Sequence, residues 1–287
     1  MIEHYAHASH AIKGGREYQE DSCLFGLVGR QMHSDEAVAG DGALIAVLAD
    51  GMGGHVGGAE ASRIACQAFQ SRFEASEGTY RDRLGLSLDA ANAAIGAGVA
   101  NDPTLDGMGC TLIGAFFDAE GVQWVSVGDS PLYLFREGGI FRLNDDHSMA
   151  PLLDDLANRG LMDRREARES PRRHQLRSAL TGRPMELVDL PENGVLLQDG
   201  DWVIVASDGL DTLTDRELEA VLAEHRSDAP EELAQALIAA VEAVGDPFQD
   251  NTTVMAIKPI PSSLSSSDRE NETVRTVPLT WRNRPGS

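Results

Sequence analysis

Four aspartates stand where apolar runs begin or end. Asp50 follows the run 43–49 and precedes Gly51. Asp129 follows VSVG and precedes Ser130. Asp208 follows WVIVAS and precedes Gly209, and Asp250 stands just before the apolar run 252–258. The adjacent pair Glu20-Asp21 adds two more carboxylates. Any single Asp-Gly is most often a turn. Asp129-Ser130 or Asp250-Asn251 alone would read the same way. Together, beside runs that must be buried, they need another reason, because a buried carboxylate is costly unless a cation or hydrogen bonds offset its charge. Several carboxylates converging on one place suit a hard, oxygen-preferring cation, Mn2+ or Mg2+, with Ca2+ as a further option. No histidine pair or cysteine cluster has the spacing of a zinc site. A carboxylate-bridged pair of such ions can deprotonate a water and clamp the oxygens of a phosphoryl group during in-line displacement. The five glycines among residues 51–58 would then let backbone carbonyls approach a metal and a phosphorylated chain approach the site.

Other chemistries leave weaker traces. Cys66 and Arg72 have the spacing of a cysteine phosphatase, but that chemistry needs a loop of exposed amides and a lowered thiol pKa. The stretch between them has no glycine and follows a helical pattern. The glycine-rich stretch misses G-x-G-x-x-G because Val56 holds the last position, and it lacks the Lys-Ser/Thr of a P-loop. A phosphatase for small phosphoesters remains open at this level.

Carboxylates placed in this way need strands to carry them. Residues 2–12, 22–28 and 42–50 read as strands, and 59–73 as a helix through Ala61, Ile64, Ala65, Ala68, Phe69 and Phe73. An alanine-rich helix fills about 81–101. TLIGAFFD, VQWVSVG, PLYLF and GIFRL follow as short runs separated by turns, the pattern of antiparallel hairpins. Residues 148–181 are charged and helical or irregular, 201–207 is a strand, 215–225 and 231–244 are amphipathic helices, and 252–258 is a closing strand. The elements do not alternate as βαβ units, so α+β is expected, with sheets covered by helices. Beyond Pro261 the chain turns polar and serine-rich and reads as a disordered tail, which gives a domain over 1–260 and a tail over 261–287.

At 287 residues and 42% hydrophobic the chain can bury a sizeable core. Its formal net charge of -22 repels a phosphate backbone, so nucleic acid is not an expected partner. The same charge means that a phosphorylated substrate would need cations in the site. Three cysteines without a CxxC argue for a reducing compartment. The longest fully apolar run is far too short to span a membrane, and the first residues have no signal-peptide h-region. A soluble, cytoplasmic monomer is expected.

Seven pieces, in order, resemble the type 2C family of metal-dependent serine/threonine protein phosphatases over roughly residues 5–258. They are Arg16-x-x-x-Glu20-Asp21, Asp50-Gly51-Met52-Gly53-Gly54, Gly109-Cys110-Thr111, Val127-Gly128-Asp129-Ser130, Asp145-Asp146-His147-Ser148, Ala206-Ser207-Asp208-Gly209 and Asp250-Asn251-Thr252-Thr253. The DGMGG form looks like the bacterial branch. The resemblance implies two stacked antiparallel β-sheets flanked by helices, with metals at one edge of the sandwich. It implies that Asp50 bridges two ions of Mn2+ or Mg2+, that Asp208 and Asp250 complete one, and that Glu20 and the Gly51 carbonyl serve the other, with Asp21 acting through a water. Asp129 with Asp208 would form a third site. Arg16 would hold the substrate phosphate, since its fork suits phosphate geometry. The nucleophile would be a metal-bridging water, the substrates phosphorylated proteins, and the opposing enzyme a serine/threonine kinase with its targets. Residues 151–185 would form the flap beside the site.

Some residues depart from the pattern: Gln19, Cys110, Pro131 where an arginine usually follows Asp-Ser, and Met52 where other branches carry a histidine. His55 could take that histidine's place, and His147 reads as structural. A non-catalytic phosphoprotein-binding module on the same fold is the alternative. Loss of a metal aspartate would mark it, and Asp50, Asp208 and Asp250 are all present.

Overall fold

The run Ala43–Ala49 is apolar at every position because both of its faces are covered. Ile45, Val47 and Ala49 pack with Ala61, Ala65, Phe69 and other helical residues. Leu44, Ala46 and Leu48 pack against Val203, Val205, Met255 and Ile257 of an opposing sheet. The computed structural model that shows this describes residues 2–28, 43–53 and 56–261.

In chain order the strands β1 (Ile2–Ile12), β2 (Asp21–Val28) and β3 (Ala43–Met52) lead to the helices α1 (Val56–Ala75) and α2 (Tyr80–Asn101). Then come β4 (Gly109–Cys110), β5 (Leu112–Asp118), β6 (Gly121–Val127), β7 (Leu132–Arg136) and β8 (Gly139–Arg142). Two short helices, α3 (Ala150–Asn158) and α4 (Arg164–Glu169), precede β9 (Trp202–Ala206). The helices α5 (Asp215–Glu224) and α6 (Pro230–Val244) precede β10 (Thr252–Pro261).

One sheet has the order β1-β10-β9-β7-β8 and the other β2-β3-β5-β6, with β4 paired to β3, and every pairing is antiparallel. Helices α1 and α2 cover the second sheet and α5 and α6 cover the first. Strand β9 repeats the logic of β3: Trp202, Ile204 and Ala206 face α5 and α6, while Val203 and Val205 face the middle of the sandwich. The result is the α+β sandwich expected from sequence.

One boundary differs from the sequence reading. Helix α1 begins at Val56, so Gly57 and Gly58 form its first turn rather than a loop. Residues 186–200 make no strand, yet isolated bridges Ser126↔Asp189 and Val122↔Val195 lay them along β6. Among the described residues no helix is long and apolar enough to cross a membrane. Residues 262–287 and His55 lie outside the described residues.

Candidate metal centre and cleft

The two sheets bring the carboxylates together. Antiparallel pairing of β2 with β3 sets Asp21 opposite Asp50. The Gly51 amide donates to the Glu20 carbonyl at 3.1 Å. Asp50 is fixed at both ends of its peptide: the Thr111 amide donates to its carbonyl at 2.9 Å, and its own amide donates to Thr111 Oγ1 at 3.1 Å. Thr111 Oγ1 is 2.7 Å from Ser130 Oγ, next to Asp129. In the other sheet Asp208 opens a 3-10 turn just after β9, and Asp250 lies two residues before β10. The Ser207 amide donates to the Thr253 carbonyl at 3.0 Å, which keeps these two chain segments in step. Asp21 then joins the sheets, because its Oδ2 accepts from Ser207 Oγ at 2.8 Å and from Thr253 Oγ1 at 2.7 Å.

A loop at 13–20 carries Arg16 and Glu20 to the same place. Gly14 has φ +60, and a Cβ there would meet the carbonyls of Gln249 and Asp250. The Gly15 amide donates to Gln249 O at 2.8 Å. Asn251 clamps the loop with its whole amide: Nδ2 donates to the carbonyls of Lys13 at 2.8 Å and Tyr18 at 2.9 Å, and Oδ1 accepts from the Glu20 amide at 2.8 Å. Arg16 Nη2 donates to Asp250 Oδ2 at 2.5 Å.

The carboxyls repel one another. Burial raises Asp50 well above the ordinary carboxylate range, and Asp21, Asp208 and Asp129 add to it. Asp208 is raised by burial and then by Asp250, while a hydrogen bond with Asp50 pulls it down. Asp129 is pushed up to about 8 by burial, Asp208 and Asp146. Asp21 rises to about 6 through burial, although the Thr253 and Ser207 hydroxyls oppose it. Its Oδ1 is buried without a hydrogen-bond partner among the described residues. Such a set is what a bound divalent cation would relieve. The backbone fits as well. A Cβ on Gly51 would strike the Gly58 and Glu20 carbonyls, and one on Gly58 would strike Glu20 Oε1, so only glycine at both positions lets α1 close over the Glu20 carboxylate. Among the described residues no three His, Cys, Asp or Glu side chains are already closed into a ligand cage, and Asp250 is turned to Arg16.

Arg16, Glu20, Asp50, Gly51, Asp129, Asp208 and Asp250 all line one cleft of about 960 Å³. Asp21 does not line it; it stands behind, between the sheets. Met52 is on the lining. His147 lies away from it, where its Nδ1 accepts from the Gly128 amide at 3.2 Å and its own amide donates to the Gly128 carbonyl at 3.0 Å, a structural role. Cys66 sits inside α1 with 2% exposure, its thiol donating to the Ser22 carbonyl, and burial pushes that thiol up, the opposite of an activated nucleophile.

Sequence reasoning missed one part of the site. Arg142 of β8 donates to the Asp129 carbonyl at 2.6 Å, so a cation does stand beside Asp129 although Pro131 supplies none. Nothing in its local sequence singles Arg142 out. The cleft wall at 174–186, which includes His174, Arg177 and Arg183, overlaps the 151–185 stretch that the family resemblance set beside the site.

Fold and site together define a class: a two-sheet sandwich, helices outside, with an acid-lined cleft at the sheet edge suited to divalent cations. The Protein phosphatase 2C family profile matches residues 31–242. The chain is 34% identical over 233 residues to the serine/threonine protein phosphatase PstP of Mycobacterium tuberculosis, covering 80% of this chain and 42% of that protein. It is 29% identical over 241 residues to the serine/threonine phosphatase stp of Listeria welshimeri, covering 80% of this chain and 92% of that protein. A crystal structure of the catalytic domain of PstP in complex with two manganese ions superposes with a TM-score of 0.68 at 27% identity, over 90% of this chain and 99% of that one. The chain belongs to the protein phosphatase 2C family. It spans about two fifths of the length of the mycobacterial relative it matches.

Proposed function

We propose that this chain hydrolyses phosphoserine and phosphothreonine in proteins, with Mn2+ or Mg2+ as cofactor. The observation that carries the reading is the gathering of Asp50, Asp129, Asp208 and Asp250 with Arg16 on one cleft, the first three carboxyls all held above the usual range. On this reading Asp50, Asp208 and Asp250 would hold one ion, and Asp50, Glu20 and the Gly51 carbonyl the other. Asp129 and Asp208 would hold a third. Asp21 orders the group from behind. The ions, when bound, supply Lewis-acid activation of water and neutralise charge on the phosphoryl group. The remaining work falls to the chain. Arg16 presents a planar fork to the substrate phosphate, exchanging its Asp250 partner for it. Thr111 and Ser130 hold the Asp50 backbone still while charge in the cleft changes.

The family likeness supports phosphoproteins as substrates, a serine/threonine kinase and its targets among them. Free cysteines Cys23, Cys66 and Cys110 support a cytoplasmic setting. We read the chain as a monomer. We read a phosphatase domain over residues 1–260 and a tail over 261–287, with the pairing of β1 and β10 carrying the sheet one residue further, to Pro261.

The test is hydrolysis of a phosphothreonine peptide by chelator-stripped protein with Mn2+, Mg2+, Ca2+ or Zn2+ added back, beside a Cys66→Ser variant. Activity restored by Mn2+ or Mg2+ and indifferent to Cys66 is expected. Metal-independent activity that needs Cys66 would replace this reading with the cysteine mechanism. Silence under every metal would favour a phosphoprotein-binding module.

A further inference from the structure

The wall of the cleft at 174–186 differs in charge from the rest of the molecule. The chain holds 46 acidic residues against 24 lysines and arginines. Neighbouring Arg173 is half-buried and donates to both oxygens of Asp154 at 2.8 and 2.9 Å. Arg177 and Arg183 are exposed on the cleft lining, and among the described residues neither side chain forms an ion pair.

The backbone that presents them is pinned. The Arg177 amide donates to the His147 carbonyl at 2.8 Å. Leu180 and Cys110 exchange both amide hydrogen bonds, at 2.9 and 3.0 Å. Asn92 of α2 accepts from the amides of Thr181 at 3.1 Å and Gly182 at 2.9 Å and donates to the Arg183 carbonyl at 2.8 Å. Gly182, at φ +76, packs so closely on Gly96 that neither tolerates a Cβ without movement. Two open guanidinium groups therefore stand on a rigid wall, in a cleft that also carries Glu17, Glu186 and the aspartates.

We propose that Arg177 and Arg183 select substrates whose phosphoresidue is flanked by further negative charge, either acidic side chains or a second phosphoresidue. This inference rests on the phosphatase reading above. A net charge of -22 repels an acidic segment at long range, so its capture needs local cations. A guanidinium fork matches carboxylate and phosphate alike.

The experiment uses the full chain in Mn2+ with four phosphothreonine peptides that differ only in flanking residues: alanine, glutamate, a second phosphothreonine, or lysine. Wild type is compared with R177A/R183A, R177K/R183K and R177E/R183E, with melting temperatures recorded for each. We expect wild type to prefer either anionic peptide over the alanine peptide by about fivefold in kcat/KM, the scale of two exposed ion pairs, and less at high salt. The alanine variant loses the preference through KM, the lysine variant keeps it, and the glutamate variant turns it toward the lysine peptide. Preference for only one of the two anionic peptides would identify the flanking group as carboxylate or phosphate. A wild-type ratio near one, or a preference that survives in R177A/R183A, overturns the inference. If wild type cleaves none of the four peptides, the phosphatase reading fails and takes this inference with it.

Discussion

Asp208 is raised by its burial and by Asp250, and it shares a hydrogen bond with Asp50 that a single proton must fill. In the absence of a cation this is stored repulsion, and the residues that would serve catalysis lower the stability of the protein that carries them. Asp208→Asn removes one charge while keeping the size and a hydrogen bond. We expect the metal-stripped variant to melt above metal-stripped wild type, to gain less from Mn2+, and to lose activity by about a hundredfold or more, as for removal of a preorganised electrostatic group. Differential scanning calorimetry with chelator and with Mn2+ checks this. A variant that melts lower without metal and gains as much from Mn2+ would refute the repulsion. Asp50, Asp208 and Asp250 stood out in the sequence because they recur together beside apolar runs, although each alone reads as a turn. Ser207 and Thr253, which hold Asp21, were not assigned this part. A hydroxyl on a strand looks the same whether it faces solvent, core or a carboxylate.

Among the elements, the loop 13–20 depends on one side chain from the far end of the described chain. Asn251 is buried and fills three hydrogen bonds to that loop. Asn251→Ala leaves two carbonyls and one amide in want of partners, and we expect a loss of roughly 2–4 kcal/mol. Urea unfolding measures it, and an unchanged midpoint would show that the loop holds without the clamp. A second packing contact is as tight. Gly114 of β5 lies against the Phe69 ring of α1, where a Cβ has no room. Gly114→Ala should cost about 1–3 kcal/mol through overpacking, and adding Phe69→Leu should restore part of it in a double-mutant cycle. The run 43–49 of β3 and the whole of β9 were readable as buried because no polar residue interrupts them. Strand β4 was too short for any period to show, and the wall at 174–186 has no period at all. Its position follows from Asn92 and Cys110, which the sequence places far away.

At the scale of the whole molecule the acidic cluster sets how stability depends on pH. Asp129 and Asp21 rise in the fold to about 8 and about 6 from an ordinary value of 3.8. A carboxyl raised on folding favours the native state fully below its unfolded value, and that contribution is lost as pH climbs through the folded value. The metal-stripped protein should therefore lose stability between about pH 4 and 8 from these groups. Metal binding needs them deprotonated, so the rise in melting temperature with millimolar Mn2+ should be larger at pH 8 than at pH 6. Thermal melts at the two pH values decide it, and a smaller gain at pH 8 would contradict the linkage. The strand arrangement carries one more consequence, for the time order of synthesis. Strand β10 lies between β1 and β9, and Asp21 is held by Thr253, 232 residues away in the chain. A nascent chain still short of residue 250 has neither the bond that joins the two sheets nor the clamp on Arg16's loop. The cleft therefore cannot assemble until β10 has left the ribosome and paired between β1 and β9.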